Sequence, residues 1–342
     1  MVSYFEAPHV VTWEVTRACQ LHCRHCRARA IPRRNSAELS LDEMCSVLDD
    51  LGNHFSRPPI LVLTGGDPLE RPDLDAIISA AVGRGIVTAI APSVTPKLTE
   101  DVIAQWKSLG VHSVSLSLDG VDAKTHDAFR GVRGTFDRTV EMANAIVQHG
   151  LKLQINTSIS RQTVQQIRSM ASLVQFLGVS SWELFFVIPT GRARIVDALA
   201  ADEIEEVLQW LVEFTPKQPF RLTTVGAPQW SRVLHQHNPG SPARVVAREA
   251  RGFAFIDHLG QVYPSGYLPV SAGSVRDRLF SQIYRDSELF QMLRNPRRLE
   301  GLCGRCDYRE TCGGSRARAY AVTGNLAASD PGCPLTLSWQ EQ

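Results

Sequence analysis

The stretch Cys-Gln-Leu-His-Cys-Arg-His-Cys places Cys19, Cys23 and Cys26 within one short segment, spaced Cys-x3-Cys-x2-Cys. In a reducing compartment disulfides are rare, and clustered cysteines more often bind metal or do redox chemistry. Three thiolates do not close a tetrahedral zinc site without a fourth ligand from elsewhere, for which His22 and His25 are the nearest donors. A 4Fe-4S cubane has four irons at alternate corners, each with one outward coordination position, so three cysteines leave one iron open to something that is not protein. Cys303, Cys306, Cys312 and Cys333 form a second set, spaced Cys-x2-Cys-x5-Cys-x20-Cys, whose four ligands are enough to close a cluster or a zinc site completely. Cys45 is left over. It lies on a helical apolar stripe with Leu41, Met44, Leu48 and Leu51, behind a capping box from Ser40 to Glu43, and reads as a small buried core residue.

The elements that position these cysteines follow from periodicity. From residue 10 to about 190, β-rich runs alternate with helical stretches: VVTWEVT, ILVLTGG, IVTAIAP, VHSVSLSLDG, LKLQINTSIS and WELFFVIPTG. Six such repeats predict a parallel sheet with crossover helices. In the fourth run Val114, Leu116 and Leu118 share one face and Ser115, Ser117 and Asp119 the other. In the fifth, Leu151, Leu153 and Ile155 oppose Gln154, Asn156 and Ser158. The apolar faces should meet helices. The polar faces then line an interior, which points to a ligand cavity at the C-terminal strand ends. Residues 196–250 read as a helical bridge, RGFAFIDHLGQVYPSGYLP as a hairpin turning at His258 to Gly260, and RLFSQIYRDSELFQMLRN as one or two helices, with the second cysteine set on loops after them.

The chain has 342 residues, 44% of them apolar, enough for a sizeable core. Its 36 lysines and arginines nearly balance 35 aspartates and glutamates, so no global field draws it to nucleic acid or to an anionic membrane. The start MVSYFEAPHV has neither the positive nor the apolar region of a signal peptide, and no apolar run is long enough to span a bilayer. The expected location is cytoplasmic.

Cys-x3-Cys-x2-Cys directly after a first strand resembles the signature of the radical S-adenosylmethionine superfamily. The resemblance implies an α/β fold, a partial (βα)6 TIM-like barrel with a small C-terminal iron-sulfur domain of the SPASM or twitch kind. It divides the chain into a core over 1–195, a helical bridge over 196–250 and an auxiliary-cluster domain over 251–342. It implies S-adenosylmethionine chelated by the open iron of a cluster on Cys19, Cys23 and Cys26, and reductive cleavage to a 5'-deoxyadenosyl radical. Gly65, Gly66 and Asp67 in TGGDP match the turn that receives the methionine amino group, with Asp67 where glutamate is common. Ser117 and Asp119 match positions near the ribose or methionine end, Arg130 in FRG the arginine that pairs with the methionine carboxylate, and Asn156 an inward group on strand five. The backbone from Val187 to Gly191 matches the adenine side. CGRCDYRETCGGSRARAYAVTGNLAASDPGC resembles the auxiliary-cluster wording. It implies a second, closed 4Fe-4S cluster, and Ser265 in VYPSGY stands where the two-cluster version of that domain takes a further cysteine. A zinc knob is the alternative that spacing alone would favour.

Within the superfamily, CGGSRARAY and SDPGC look closest to enzymes of haem and haem-variant synthesis and to related radical decarboxylases of sugar acids. The reading is therefore decarboxylation of a carboxylated small molecule, with a flavodoxin or ferredoxin as electron donor and no nucleic-acid or membrane partner. A peptide maturase is the enzymatic alternative; only about nine residues precede the first strand, which argues mildly against it. A non-catalytic zinc or iron-sulfur binding protein is the alternative of a different class. Arginine forks suit carboxylates, so one of the pairs Arg192 with Arg194 or Arg316 with Arg318 is expected to clamp the substrate.

Overall fold

The computed structural model describes residues 3–239 and 248–336. Part of the segment read as a bridge, residues 240–247, lies outside the described residues. Seven strands run parallel and side by side in chain order: β1 (Val10–Glu14), β2 (Ile60–Thr64), β3 (Thr88–Ile90), β4 (Ser113–Ser117), β5 (Lys152–Ile159), β6 (Ser181–Phe186) and β7 (Arg221–Val225). The crossovers carry α1 (Leu41–Asn53), α2 (Leu74–Gly83), α3 (Glu100–Ser108), α4 (Ala123–Arg130) and α5 (Thr135–Gln148), α6 (Ile167–Phe176) and α7 (Ala201–Phe214). The six expected strands are all present. The seventh falls inside the segment expected to be a bridge, where RLTTV pairs with β6 from Ser181↔Arg221 to Phe185↔Val225.

After α8 (Gln229–His237) the chain returns to the other edge of the sheet. β8 (Arg248–Glu249) pairs with β9 (Gly252–Ile256), and β9 lies parallel to β1, with Thr12 opposite Phe255. β10 (Gln261–Tyr263) and β11 (Gly273–Ser274) extend the sheet antiparallel, giving the order β11-β10-β9-β1-β2-β3-β4-β5-β6-β7. The hairpin turns where expected: the Asp257 carboxylate accepts the backbone N–H groups of Leu259 and Gln261, and Gly260 takes φ +85°. Four helices follow, α9 (Phe280–Asp286), α10 (Glu288–Arg294), α11 (Gly301–Arg305) and α12 (Arg316–Thr323). Cys303 sits on α11 and Cys306 caps it, so the second cysteine set is not confined to loops as expected.

Binary patterning sets which face does what. Val11, Trp13, Leu61, Leu63, Val114, Leu116, Leu153, Ile155, Trp182 and Leu184 are buried in the main core. Their neighbours Thr12, Thr64, Ser117, Gln154, Asn156, Glu183 and Thr223 keep partial exposure. The alternation predicted for β4 and β5 therefore extends to β1, β2, β6 and β7. Ser40 and Glu43 close the expected capping box on α1. Cys45, expected to be buried, is half-exposed, because Met44, Val47, Leu48 and Leu51 fill the buried stripe instead. Among the described residues no helix is long and apolar enough to cross a membrane.

The sheet curls. Laid flat, β1 and β6 would be roughly 24 Å apart at about 4.8 Å per strand. Instead the loops that leave them are hydrogen-bonded: Arg192 donates its backbone N–H to the Cys26 carbonyl (3.1 Å), and Arg29 donates Nε to the Gly191 carbonyl (3.1 Å). This brings the C-terminal strand ends round one space.

Candidate active site

The loop after β1 is held from all sides. The backbone N–H groups of Gly66 and Asp67, after β2, donate to the Thr16 and Ala18 carbonyls (2.8 and 2.7 Å). A Cβ on Gly66 would lie 2.4 Å from the Ala18 carbonyl oxygen, and one on Gly65 would lie 2.6 Å from that of Thr16, so both must be glycine for the two loops to meet. Gly191, after β6, has φ +70°, and a Cβ there would come within 2.4 Å of the Cys26 carbonyl. Arg192 donates to the carbonyls of Cys23 and Ala30. Cys19 and Cys23 pack with Leu21 in a small cluster of their own, flanked by Cys26, Ala30 and Val132.

Donors converge on the sulfurs. Leu21 N–H points at Cys19 Sγ (3.3 Å), Ala30 N–H at Cys26 Sγ (3.4 Å) and Arg130 Nη1 at Cys23 Sγ (3.8 Å). Burial pushes the Cys19 thiol up to about 11 and raises that of Cys23, so neither ionises readily by itself. Buried sulfurs supplied with N–H donors fit a soft cationic group that takes the proton's place. Among the described residues no group of three or more His, Cys, Asp or Glu side chains is arranged to hold a single metal ion. His25, a possible fourth zinc donor by sequence, instead stacks on Phe129 at 4.0 Å between centroids.

Asp67 is wholly buried. Its carboxylate accepts from the backbone N–H groups of Leu69 (3.2 Å) and Ser93 (3.3 Å) and from the Thr95 hydroxyl (2.8 Å); burial still pushes it up to about 6. The side chain thus bolts the β2 loop to the β3 loop. Asp119 pairs with Arg130 and accepts the Ser158 N–H (2.7 Å). Burial opposes its ionisation, yet Arg130, His25 and His126 outweigh it and hold the carboxyl below its ordinary range. Ser117 and Arg130 line a small cavity with Leu21, Ser93 and His126, while the Asn156 amide oxygen accepts from Gln154 (2.8 Å). The structure thus gathers the cysteine loop, both glycine-bearing loops, Ser117, Asp119 and Arg130 at one end of the sheet.

Register shows residues that spacing alone did not pick out. Ser117, Asn156, Glu183 and Thr223 are mutual partners across β4 to β7, a continuous polar row. Glu183 accepts from the Thr223 hydroxyl (3.1 Å), and burial raises its carboxyl. The alternation that marks Ser117 and Asn156 holds equally in WELFFV and is the signal for Glu183. Glu14, at the end of β1, contacts His258 Nδ1 (3.1 Å) and Arg27 Nη1 (3.1 Å), both reached only through the fold.

The arginines expected to clamp a substrate are engaged elsewhere. Arg192 secures the cysteine loop, and Arg194 pairs with Asp197 at the surface. Arg316 is buried and donates to the Leu326 and Ala328 carbonyls (3.0 and 2.6 Å) and to Cys303 Sγ (3.6 Å). Arg318 forms a buried pair with Asp330 (3.1 Å). These two arginines organise the second cysteine set, where Asp330 N–H also points at Cys303 Sγ and Tyr308 N–H at Cys306 Sγ (both 3.4 Å). A Cβ on Gly314 would sit 3.1 Å from Cys303 Sγ and 2.6 Å from both Arg316 Nη2 and Asp330 Cβ. Burial pushes the Cys333 thiol up to about 12, with Cys312 adding to the shift.

Comparison with known proteins agrees with this geometry. The radical SAM superfamily profile matches residues 13–174. An AdoMet-dependent heme synthase of Methanosarcina barkeri is 33% identical, over 97% of this chain and 98% of the relative. A protein of the same name from Oleidesulfovibrio alaskensis is 37% identical over 96% and 87%. Mycofactocin maturase MftC of Mycobacterium tuberculosis is 29% identical over 96% and 83%. Among solved structures, Streptococcus suis SuiB bound to S-adenosylmethionine superposes with a TM-score of 0.74 at 17% identity, over 96% of this chain and 77% of that one. With whole-length relatives above 30% identity and a cysteine loop gripped at the strand ends, the chain belongs to the radical SAM superfamily.

Proposed function

We propose that this protein uses S-adenosylmethionine and a 4Fe-4S cluster on Cys19, Cys23 and Cys26 to oxidise a carboxylated tetrapyrrole, removing one or more propionate carboxyl groups as carbon dioxide. The observation that carries the chemistry is the three-thiol loop, gripped by Gly66, Gly191 and Arg192 and bordered by the polar row from Ser117 to Thr223. When bound, these cofactors supply a 5'-deoxyadenosyl radical, which takes a hydrogen atom from the carbon beside the carboxyl-bearing one. The chain's part is to place, hold and exclude. The Gly65–Asp67 turn and the Gly191 backbone fix the edges of the cofactor space. Ser117, Asp119, Arg130 and Asn156 offer it polar groups, and the apolar outer faces keep water from the sheet. Leu21 and Ala30 N–H groups, with Arg130, hold negative charge on sulfur.

The C-terminal set fits a second 4Fe-4S cluster. Cys303 has N–H and guanidinium donors and Cys306 an N–H donor of its own, and a closed cluster there would accept the electron left when carbon dioxide departs. On this reading 1–195 is the catalytic core, 196–250 a bridge and 251–342 the auxiliary-cluster domain, with a flavodoxin or ferredoxin as donor. The tetrapyrrole draws on the likeness to heme synthases. A peptide maturase is a second reading, favoured by the likeness to MftC.

The test is anaerobic turnover of the reconstituted protein with an iron tetrapyrrole bearing four propionates, followed by mass spectrometry. Loss of one carbon dioxide and two hydrogens per event, matched by 5'-deoxyadenosine, is expected. Deoxyadenosine formation with an unaltered tetrapyrrole would overturn the substrate assignment.

A further inference from the structure

With Arg192, Arg194, Arg316 and Arg318 accounted for, a further cation of the described residues stands beside β1: Arg27, immediately after the third cysteine of the loop. Its place follows from register. Val11 and Trp13 are fully buried on the helix-facing side of β1, so Thr12 and Glu14 face inward; Phe255, the partner of Thr12, shares that face. Arg27 lies between them, its guanidinium carbon 4.5 Å from the centre of the Phe255 ring and Nη1 3.1 Å from Glu14. Glu14 is itself held by His258. A Cβ on Gly266 would come within 3.1 Å of Arg27 Cδ and 3.2 Å of its Nε, so the glycine admits the arginine stem. Among the described residues no other hydrogen bond engages the guanidinium, in contrast to Arg17, Arg29, Arg130 and Arg192, each of which donates to the loops or sulfurs around it.

Tyr267 stands beside it. Its carbonyl accepts from Thr190 after β6, and its N–H donates to Ser265, so the turn after β10 is pinned against the far wall. Its chain neighbour Gly266 lies against the Arg27 stem and the ring is partly buried against the core; burial raises the phenol, and the Arg27 charge acts against that rise. Its hydroxyl has no partner among the described residues.

We propose that Arg27 and the Tyr267 hydroxyl together anchor a carboxylate of the substrate inside the barrel, with Glu14 and Phe255 holding the guanidinium in position. The inference rests on the carboxylated substrate proposed above. A guanidinium clamped along one edge by Glu14 and stacked on a ring is pre-organised, and its remaining N–H groups match the two oxygens of a carboxylate. The anchor would hold that carboxylate next to the loop of the three cysteines.

The experiment is a Soret titration of the anaerobically reconstituted protein with iron coproporphyrin III, which carries four propionates, and with its tetramethyl ester, alongside iron content and cluster absorbance. Arg27→Gln should weaken binding of the acid about tenfold or more, leave the ester unaffected and retain its iron; Arg27→Lys should recover part of the loss. Equal weakening of acid and ester, loss of iron with the weakening, or unchanged acid binding would overturn the proposal. Tyr267→Phe removes one oxygen and should lower the acid-to-ester affinity ratio a few-fold; an unchanged ratio would also contradict it. A wild type that takes up neither acid nor ester would strike at the tetrapyrrole reading itself, and the anchor would fall with it.

Discussion

Among individual residues, His126 shows how the site's electrostatics reach into stability. Its Nδ1 accepts the Asp119 backbone N–H (3.1 Å). Burial and then the nearby Arg130 charge push its pKa down to about 4, from 6.5 in the unfolded chain. Between those values the unfolded state binds more protons than the native one, so stability is full above pH 6.5 and is lost as pH falls towards 4. The share from this one group is about 2 kcal/mol by pH 5. His126→Asn keeps an acceptor near the same position and removes the titration. Urea denaturation at pH 7 and pH 5 should show the variant losing about 2 kcal/mol less than wild type; equal losses would contradict the assignment. The cysteines were legible because their chemistry needs fixed spacing. Asp67 was legible as a position but not in its partners, since the hydrogen bonds to Ser93 and Thr95 exist only once β2 and β3 lie side by side. Glu14 and His258, 244 positions apart, illustrate the same limit.

Among the elements, the strands with alternating or continuous apolar character declared themselves, and so did α1 through its capping box and stripe. RLTTV did not. It is five residues long, three of them arginine or threonine, and is a strand because β6 offers it a complete edge; β-propensity of this kind depends on the neighbour rather than on the segment. The loops at the strand ends have the opposite property, because their glycines are demanded by close approach. Gly191→Ala would force a Cβ at positive φ against the Cys26 carbonyl and displace the loop after β1. The expected result is loss of about half the iron of the reconstituted protein, from about eight to about four atoms per chain, with the C-terminal set still loaded. Full iron content in this variant would show that the loop tolerates the displacement.

At the scale of the whole molecule, one sheet runs from β11 to β7, and the C-terminal third joins it through the parallel pairing of β9 with β1. Further ties cross the same boundary: Ser281 with Asp50, Tyr284 with the Tyr4 carbonyl, and Gln229 with Asp330 at the heart of the second cysteine set. The two sets of thiols are thus fixed to one scaffold, with the polar row and Arg27 on the enclosed side. The central claim is that only the first set serves S-adenosylmethionine. It is tested most directly by anaerobic reconstitution of wild type and of the Cys19→Ala, Cys23→Ala, Cys26→Ala triple variant, measuring iron and, after dithionite and S-adenosylmethionine, 5'-deoxyadenosine. About eight irons in wild type and about four in the variant, with deoxyadenosine made only by wild type, is the predicted result. Zinc in place of iron, with no deoxyadenosine from either protein, would contradict it.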